Sequence, residues 1–294
     1  MTRLRADLLL LLTAIIWGTA FVAQKAANET MGPITFVGAR FLFSALAILP
    51  LALLEARKPH RPLTQKDWRL ASLVGLCLFI GSVLQQTALL TTSVTNGGFL
   101  TALYVVMVPF TTWLLTRDRI SRTVLLACAI SLVGAYLLSA HGGMQPFAMG
   151  DFLLIVSDVA WAFGISLVGL FLMQSPRVFF LSLVQYSLTA VLGLAVGFAV
   201  EPVNWSGVLA ALPAILYAGL ISGGIAFTMQ NIAQRHTPAP EAALIMSLEA
   251  VAAAVAGAIL LGERLGSIAL LGCGLVMAGV IVAEVGPALI RKRS

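Results

Sequence analysis

Apolar runs of about twenty residues, separated by short connections, follow one another along almost the whole chain. No motif constrains the fold as strongly. A run of this length, wound as an α-helix, crosses the roughly 30 Å hydrocarbon layer of a bilayer. In lipid every backbone N–H and C=O must find its partner within the protein, which leaves helices or closed barrels. The runs are continuously apolar and do not alternate, so they read as helices. Ten are expected, at approximately 7–27, 33–54, 68–90, 95–116, 121–140, 150–173, 177–200, 207–234, 240–261 and 266–287. Their connections carry turn residues such as Gly32-Pro33, Gly142-Gly143 and Pro238-Ala239-Pro240. With 60% hydrophobic and 10% charged residues, against about 25% charged in a soluble domain, the chain reads as an all-α integral membrane protein.

The ten runs fall into two related sets of five. Ala102–Arg119 aligns with Ser247–Arg264 at a shift of 145 positions, matching Leu103 with Leu248, Asp118 with Glu263 and Arg119 with Arg264. The same shift pairs Gln85 with Gln230, Cys128 with Cys273 and Gly134 with Gly279, and a shift of 144 pairs Asp7 with Asp151 and Trp17 with Trp161. Polar and charged matches in one register are hard to obtain by chance between apolar helices. We therefore read residues 1–143 and 144–294 as two five-helix repeats. The basic and apolar N-terminus has the look of a signal peptide, but its match to residues 151–161 makes it the first helix of the first repeat.

Lys and Arg near the ends of the runs set orientation. Fifteen, from Arg3 to Arg293, fall on one side, two (Lys25 and Arg264) on the other, and Arg40 lies within the second run. This places both termini in the cytoplasm. An odd number of spans per repeat makes the second repeat inverted relative to the first. Inverted repeats imply alternating access around a central cavity near the midplane. The net charge of +6 is spread over loops and termini and does not call for nucleic acid.

The Trp-Gly-Thr-Ala-Phe stretch at 17–21 and the sequence SLEAVAAAVAGAILLGERL at 247–265, set within two five-span halves, resemble the EamA family of the drug/metabolite transporter superfamily. The likeness covers nearly the whole chain. Ala250 stands where the family has proline; the first half keeps Pro109 and replaces the family's Gly-Glu with Thr116-Arg117-Asp118. Within the family the chain looks most like the YddG-type exporters. That resemblance implies outward transport of aromatic and other neutral amino acids across the inner membrane.

Candidate site residues are polar or aromatic side chains well inside the runs. Asp158 and Glu249 are carboxylates that cost about 2.5–3.5 kcal/mol at mid-helix, and such groups either couple protons, bind a charged group or form structural pairs. Arg40 is read as leaning toward structure, since a guanidinium at that depth wants a fixed partner. Gln85 and Gln230 are amides at equivalent places and suit a polar substrate. Trp17, Phe21, Tyr104, Trp161 and Phe227 are aromatics deep in their helices, with Tyr104 standing in register with Glu249. The runs containing these residues, the first, third, fourth, sixth, eighth and ninth, are expected to line the cavity, while the fifth and tenth form a scaffold.

Cys77, Cys128 and Cys273 lie in apolar runs, and His60, His141 and His236 in connections. Their spacings give no metal motif, and neither a cofactor nor a metal is expected. Without intramembrane histidine or carboxylates at catalytic spacing, an enzyme is the weaker reading. The reading is a transporter, working as a monomer in the lipid bilayer, that exports small neutral or aromatic amino acids. Export of cationic or lipophilic drugs, paired by Glu249 and Asp158, is the alternative. A sugar-nucleotide or phosphate carrier would need more intramembrane cations than Arg40.

Overall fold

A computed structural model gives the fold and describes residues 1–92, 94–139, 149–260 and 266–291. The expected boundary between the halves at 143/144, the Gly142-Gly143 connection and the Glu263-Arg264 pair lie outside the described residues. What is described is helical. Eight stretches are long and apolar enough to cross a membrane: Arg3–Ala27, Pro33–Ala56, Gln65–Ala88, Gly97–Thr116, Met149–Gln174, Val178–Val200, Leu212–Ala233 and Ala239–Ala256. Two shorter apolar helices, Arg122–Leu138 and Ser267–Ala283, fall where the fifth and tenth runs were expected.

In chain order we label α1 (Arg3–Ala27), α2 (Pro33–Ala56), α3 (Gln65–Ala88), α4 (Val94–Thr101), α5 (Tyr104–Thr116), α6 (Arg122–Ser139), α7 (Met149–Gln174), α8 (Val178–Val200), α9 (Trp205–Ala210) and α10 (Leu212–Leu216). A π-helix follows at Tyr217–Phe227, then α11 (Thr228–Ala233), α12 (Ala239–Met246), α13 (Glu249–Leu260) and α14 (Ser267–Arg291). The third helix begins three residues before its apolar run because a capping box sets its start. Thr64 accepts from the Asp67 N–H, and the Asp67 carboxylate accepts from the Thr64 N–H at 2.7 Å. Arg61 pairs with that carboxylate and donates to the Gln174 carbonyl, tying the start of α3 to the end of α7.

The distribution of side chains suits lipid and not water. Leu8, Leu12, Ile15, Leu46, Leu53, Phe110, Leu126 and Val191 are exposed, while Thr13, Ser44, Gln86, Ser157, Asp158, Ser182 and Thr189 are buried. Between helices the attraction is then close packing and hydrogen bonding, since lipid tails are as apolar as leucine. Small residues mark the closest approaches. Where α2 crosses α8, a Cβ on Gly38 would collide with the Leu194 backbone N, and one on Gly193 would lie 2.7 Å from Gly38 Cα. Gly134 on α6 and Gly272 on α14 meet in the same way, a Cβ on each falling 2.6 Å or less from the other helix's backbone.

The α2–α8 pair is antiparallel and closed at both ends. Neither Gly32 nor Arg177, the residues preceding α2 and α8, caps its helix with a side chain. Instead Glu201, just past α8, accepts from the Ile34 and Thr35 N–H groups of α2 at 2.9 and 2.8 Å and from the Thr35 hydroxyl at 2.7 Å. Glu55, at the end of α2, accepts from the Phe179 and Phe180 N–H groups of α8 at 3.2 and 2.8 Å. A second reciprocal pair joins the repeat mates Asp7 and Asp151. Asp7 accepts from Thr237 at 2.8 Å and Asp151 from Thr92 at 3.1 Å; Thr92 and Thr237 are themselves 145 positions apart.

Candidate functional site

Two helices that read as continuous runs are interrupted, at equivalent positions. The first break, at Ala102-Leu103, separates α4 from α5, and the second, at Ser247-Leu248, separates α12 from α13. At each break the backbone tightens to i→i+3 bonds: Leu103 N–H to Leu100 O and Val105 N–H to Ala102 O in one, Leu248 N–H to Ile245 O and Ala250 N–H to Ser247 O in the other. Thr101 and Ser247 turn their hydroxyls back onto the Gly97 and Leu244 carbonyls, a local competition that bends helices. Pro109 adds to the first break, since it has no N–H for the Val105 carbonyl; the Cys128 thiol donates there instead at 3.4 Å. The residues that open the second half of each helix are Tyr104 and Glu249. A carboxylate at the start of α13 also sits at the positive end of that helix's dipole.

The eighth run is reshaped differently. Pro213 and the glycines at 219, 223 and 224 let it pass into an eleven-residue π-helix, whose wider turn redirects carbonyls toward other helices. Ser222 O accepts from Trp17 Nε1 at 3.2 Å, Ala226 O from the Thr13 hydroxyl at 3.2 Å and Gly219 O from the Ser44 hydroxyl at 2.7 Å. Periodicity did not disclose this element, because a π-helix keeps the composition of an α-helix.

A central cavity opens between these elements, with about 690 Å³ of atom-free space, its mouth included. Eight of the nine candidate residues line it: Trp17, Phe21, Gln85, Tyr104, Trp161, Phe227, Gln230 and Glu249. Asp158 is not on the wall. It is fully buried on α7, one turn before Trp161, and within electrostatic reach of Tyr104 and Glu249. Among the described residues neither of its oxygens has a hydrogen-bond partner. The Tyr104 hydroxyl faces the Glu249 carboxyl but completes no hydrogen bond of ordinary geometry with it.

The aromatic wall centres on Phe227. Its ring lies 4.6 Å from Trp17, is stacked on Trp161 at 5.9 Å and 17°, and stands 6.0 Å from Phe41. Centroid spacings of 4.5–7 Å are those of favourable ring pairs. Gln230 donates to Gln234 at 3.0 Å, and Gln234 donates to the Ile165 carbonyl, so the amide plane of Gln230 is set by its neighbour. Gln86, the other amide of the third run, is spent on packing: its Nε2 donates to Gln24 O and to Asn28 Oδ1, both at 2.8 Å.

The wall also contains residues that the sequence did not single out for it, Gln24, Arg40, Thr101, Gln185 and Ser222. Arg40 and Gln185 bring the second and seventh helices into the lining, which was expected from six other runs. The signal for Gln24 was present: Trp17, Phe21 and Gln24 follow i, i+4, i+7 on one helix face. Their repeat mates Trp161, Ile165 and Val168 line the cavity too. Gln185 is the one amide of α8. Among the described residues no group of His, Cys, Asp or Glu could hold a metal ion, and the three cysteines are free.

Comparison with known proteins places this architecture. The model of the EamA-like transporter family matches the chain twice, over residues 4–140 and 148–284. The chain belongs to the EamA-like transporter family. Its two family units carry the two broken helices, one each, and the cavity forms between them. A curated relative, an uncharacterized transporter of Archaeoglobus fulgidus, is 29% identical, with 96% of this chain and 86% of the relative aligned. The uncharacterized inner membrane transporter YedA of Escherichia coli is 26% identical over 92% and 88%. A probable amino-acid metabolite efflux pump of Salmonella typhimurium is 27% identical over 95% and 94%. A solved crystal structure superposes with a TM-score of 0.76 at 18% identity, covering 97% of this chain and 98% of that one. The chain is thus a multi-pass membrane transporter of this family.

Proposed function

We propose that this transporter exports small neutral amino acids, aromatic ones above all, across an inner membrane by alternating access. The observation that carries the reading is the composition of the cavity wall, where Trp17, Trp161 and Phe227 form one aromatic cluster beside the amides Gln85, Gln185 and Gln230. Flat rings give apolar area to a side chain and attract an ammonium through their quadrupole. Amides donate and accept without imposing a net charge. Together they suit a zwitterion with an apolar side chain. The Salmonella relative's name as a probable amino-acid metabolite efflux pump points the same way.

The accompanying architecture has ten spans in two inverted halves, both termini cytoplasmic, and one chain as the working unit. The antiparallel clamp between α2 and α8 and the mated Asp–Thr contacts support a two-fold relation in the membrane plane. The two halves then rock about the cavity, opening it to each side in turn. The test is counterflow of labelled phenylalanine and tryptophan in proteoliposomes of the purified protein. Trp161→Ala and Gln85→Ala should each reduce it about tenfold without lowering folded yield. If both carry amino acids like wild type, while only Asp158 and Glu249 variants fail and labelled cationic drugs are carried, drug export replaces this reading.

A further inference from the structure

Arg40 is the anomaly of the cavity. It lies two turns into α2, is 4% exposed and lines the wall. A buried guanidinium ordinarily has a carboxylate or carbonyls around its five donors. Arg40 has no hydrogen bond or ion pair from its side chain to any described residue, and its Nε is buried with no acceptor at all. Its contacts are the faces of Phe36 and Phe41, 5.6 and 5.0 Å from Cζ. Those rings hold the guanidinium in place and leave its hydrogen-bonding edge unmatched. Glu249, the carboxylate on the same wall, makes no ion pair with it.

We infer that Arg40 is the receptor for a carboxylate on the transported substrate. This rests on the amino-acid reading above and sharpens it: the substrate must be an acid, and its amide or the matching amine must be rejected. Geometry favours the assignment. Phe41, the ring under Arg40, stands 6.0 Å from Phe227, the centre of the aromatic cluster. A carboxylate held at Arg40 therefore sits one ring away from the surface that would take an aromatic side chain. Guanidinium and carboxylate match as a planar, bidentate pair. The pair also neutralises both charges inside the membrane, where neither is stable alone. No protein group supplies that neutralisation among the described residues, so binding and charge compensation are one event. One intramembrane cation fits a monocarboxylate and leaves a second anionic group unpaired.

The experiment uses the purified full-length protein and pairs of compounds differing only in the carboxylate. These are phenylalanine against phenylalaninamide, and 3-phenylpropionate against 3-phenylpropionamide. Thermal stabilisation by each compound is measured, together with counterflow of labelled phenylalanine. In the wild type the acids should stabilise and compete at concentrations at least roughly tenfold lower than the amides, the size of a charge-assisted pair. Arg40→Gln should erase the acid–amide difference, and Arg40→Lys should keep part of it. Equal effects of acid and amide on the wild type, or an undiminished acid preference in Arg40→Gln, overturns the assignment. The wild-type comparison stands even if the variants do not fold. If 3-phenylpropionate stabilises through Arg40 while phenylalanine is neither bound nor carried, the carboxylate receptor stands and the amino-acid reading falls.

Discussion

Glu201 offers the most direct test of how α2 and α8 are held. Replacing it with alanine strips the start of α2 of three acceptor contacts, two from backbone N–H groups and one from the Thr35 hydroxyl. Gly32 has no side chain to substitute. A lost side-chain cap costs about 0.5–2 kcal/mol, and a carboxylate at a partly buried helix N-terminus contributes up to about 2 kcal/mol through the dipole. Water reaches this end of the helix and recovers part of the loss, so Glu201→Ala should destabilise by about 2–3 kcal/mol. Glu201→Gln keeps one acceptor oxygen, but it loses the charge and sets an NH2 donor against the other backbone N–H, so it should cost most of what Glu201→Ala does. Glu55→Ala removes the mirror contacts at the other end of the pair. A 24-residue helix is about 36 Å long, so the two sites are independent and their effects should add to within about 0.5 kcal/mol. Unfolding by SDS titration in mixed micelles reads the wild type, the three single variants and the Glu55→Ala/Glu201→Ala double variant. A Glu201→Ala or Glu201→Gln protein as stable as wild type would refute the capping account.

Three further outcomes follow from particular contacts. A Cβ on Gly18 would lie 2.5–2.7 Å from Ala252 Cβ, Ala253 N and Glu249 O; Gly18→Ala should therefore destabilise by about 1–3 kcal/mol and impair transport by shifting the start of α13, whereas Gly274→Ala, with nothing within 4 Å, should be neutral or slightly stabilising in the same micelle assay. If Asp158 or Glu249 couples protons, Asp158→Asn or Glu249→Gln should abolish the pH dependence of active transport while sparing counterflow; unchanged pH profiles with reduced yield would make both structural. Reporter fusions at Pro59 and Pro146 should give cytoplasmic and periplasmic signals respectively, and the reverse result would invert the orientation drawn from the basic residues.

What could be read from the residues divides along a physical line. Helix positions were legible because apolar length is set by the bilayer, and eight wall residues because an aromatic residue, Gln or Glu inside an apolar run stands out from its neighbours. Spacing along one helix says nothing about which helix it faces, so Arg40, though it stood out as polar, was not placed on the wall, and Gln185 was passed over. Asp158 shows the converse: a carboxylate deep in a run need not touch the cavity, and here it lies fully buried while Tyr104 and Glu249 face the opening. The carboxylate clamps were invisible for another reason. Glu55 and Glu201 follow the ends of their runs and resemble ordinary loop residues; only the antiparallel contact brings each to the other helix's unsatisfied N–H groups. The π-helix escaped too, because glycines at 219, 223 and 224 are equally good packing sites in an α-helix.

The two breaks explain why the cavity is where it is. An uninterrupted apolar helix satisfies its own backbone and presents a uniform wall. A break halfway along bends the helix and gives its next residue a new direction, and the two halves place Tyr104 and Glu249 at that residue. The means differ. Pro109 removes a donor in the first half, while its counterpart Ala254 removes nothing, so the second break depends on the Ser247 hydroxyl and on packing at Gly18. The chemistry differs as well. A phenol faces a carboxyl across the repeat, and Phe21 and Gln24 have Ile165 and Val168 as their mates. Two identical halves would offer a substrate two equivalent poses. On the reading proposed above, divergence at these mated positions, with Arg40 the one cation among the described lining residues, favours a single pose for a molecule whose charged end and apolar end are distinct.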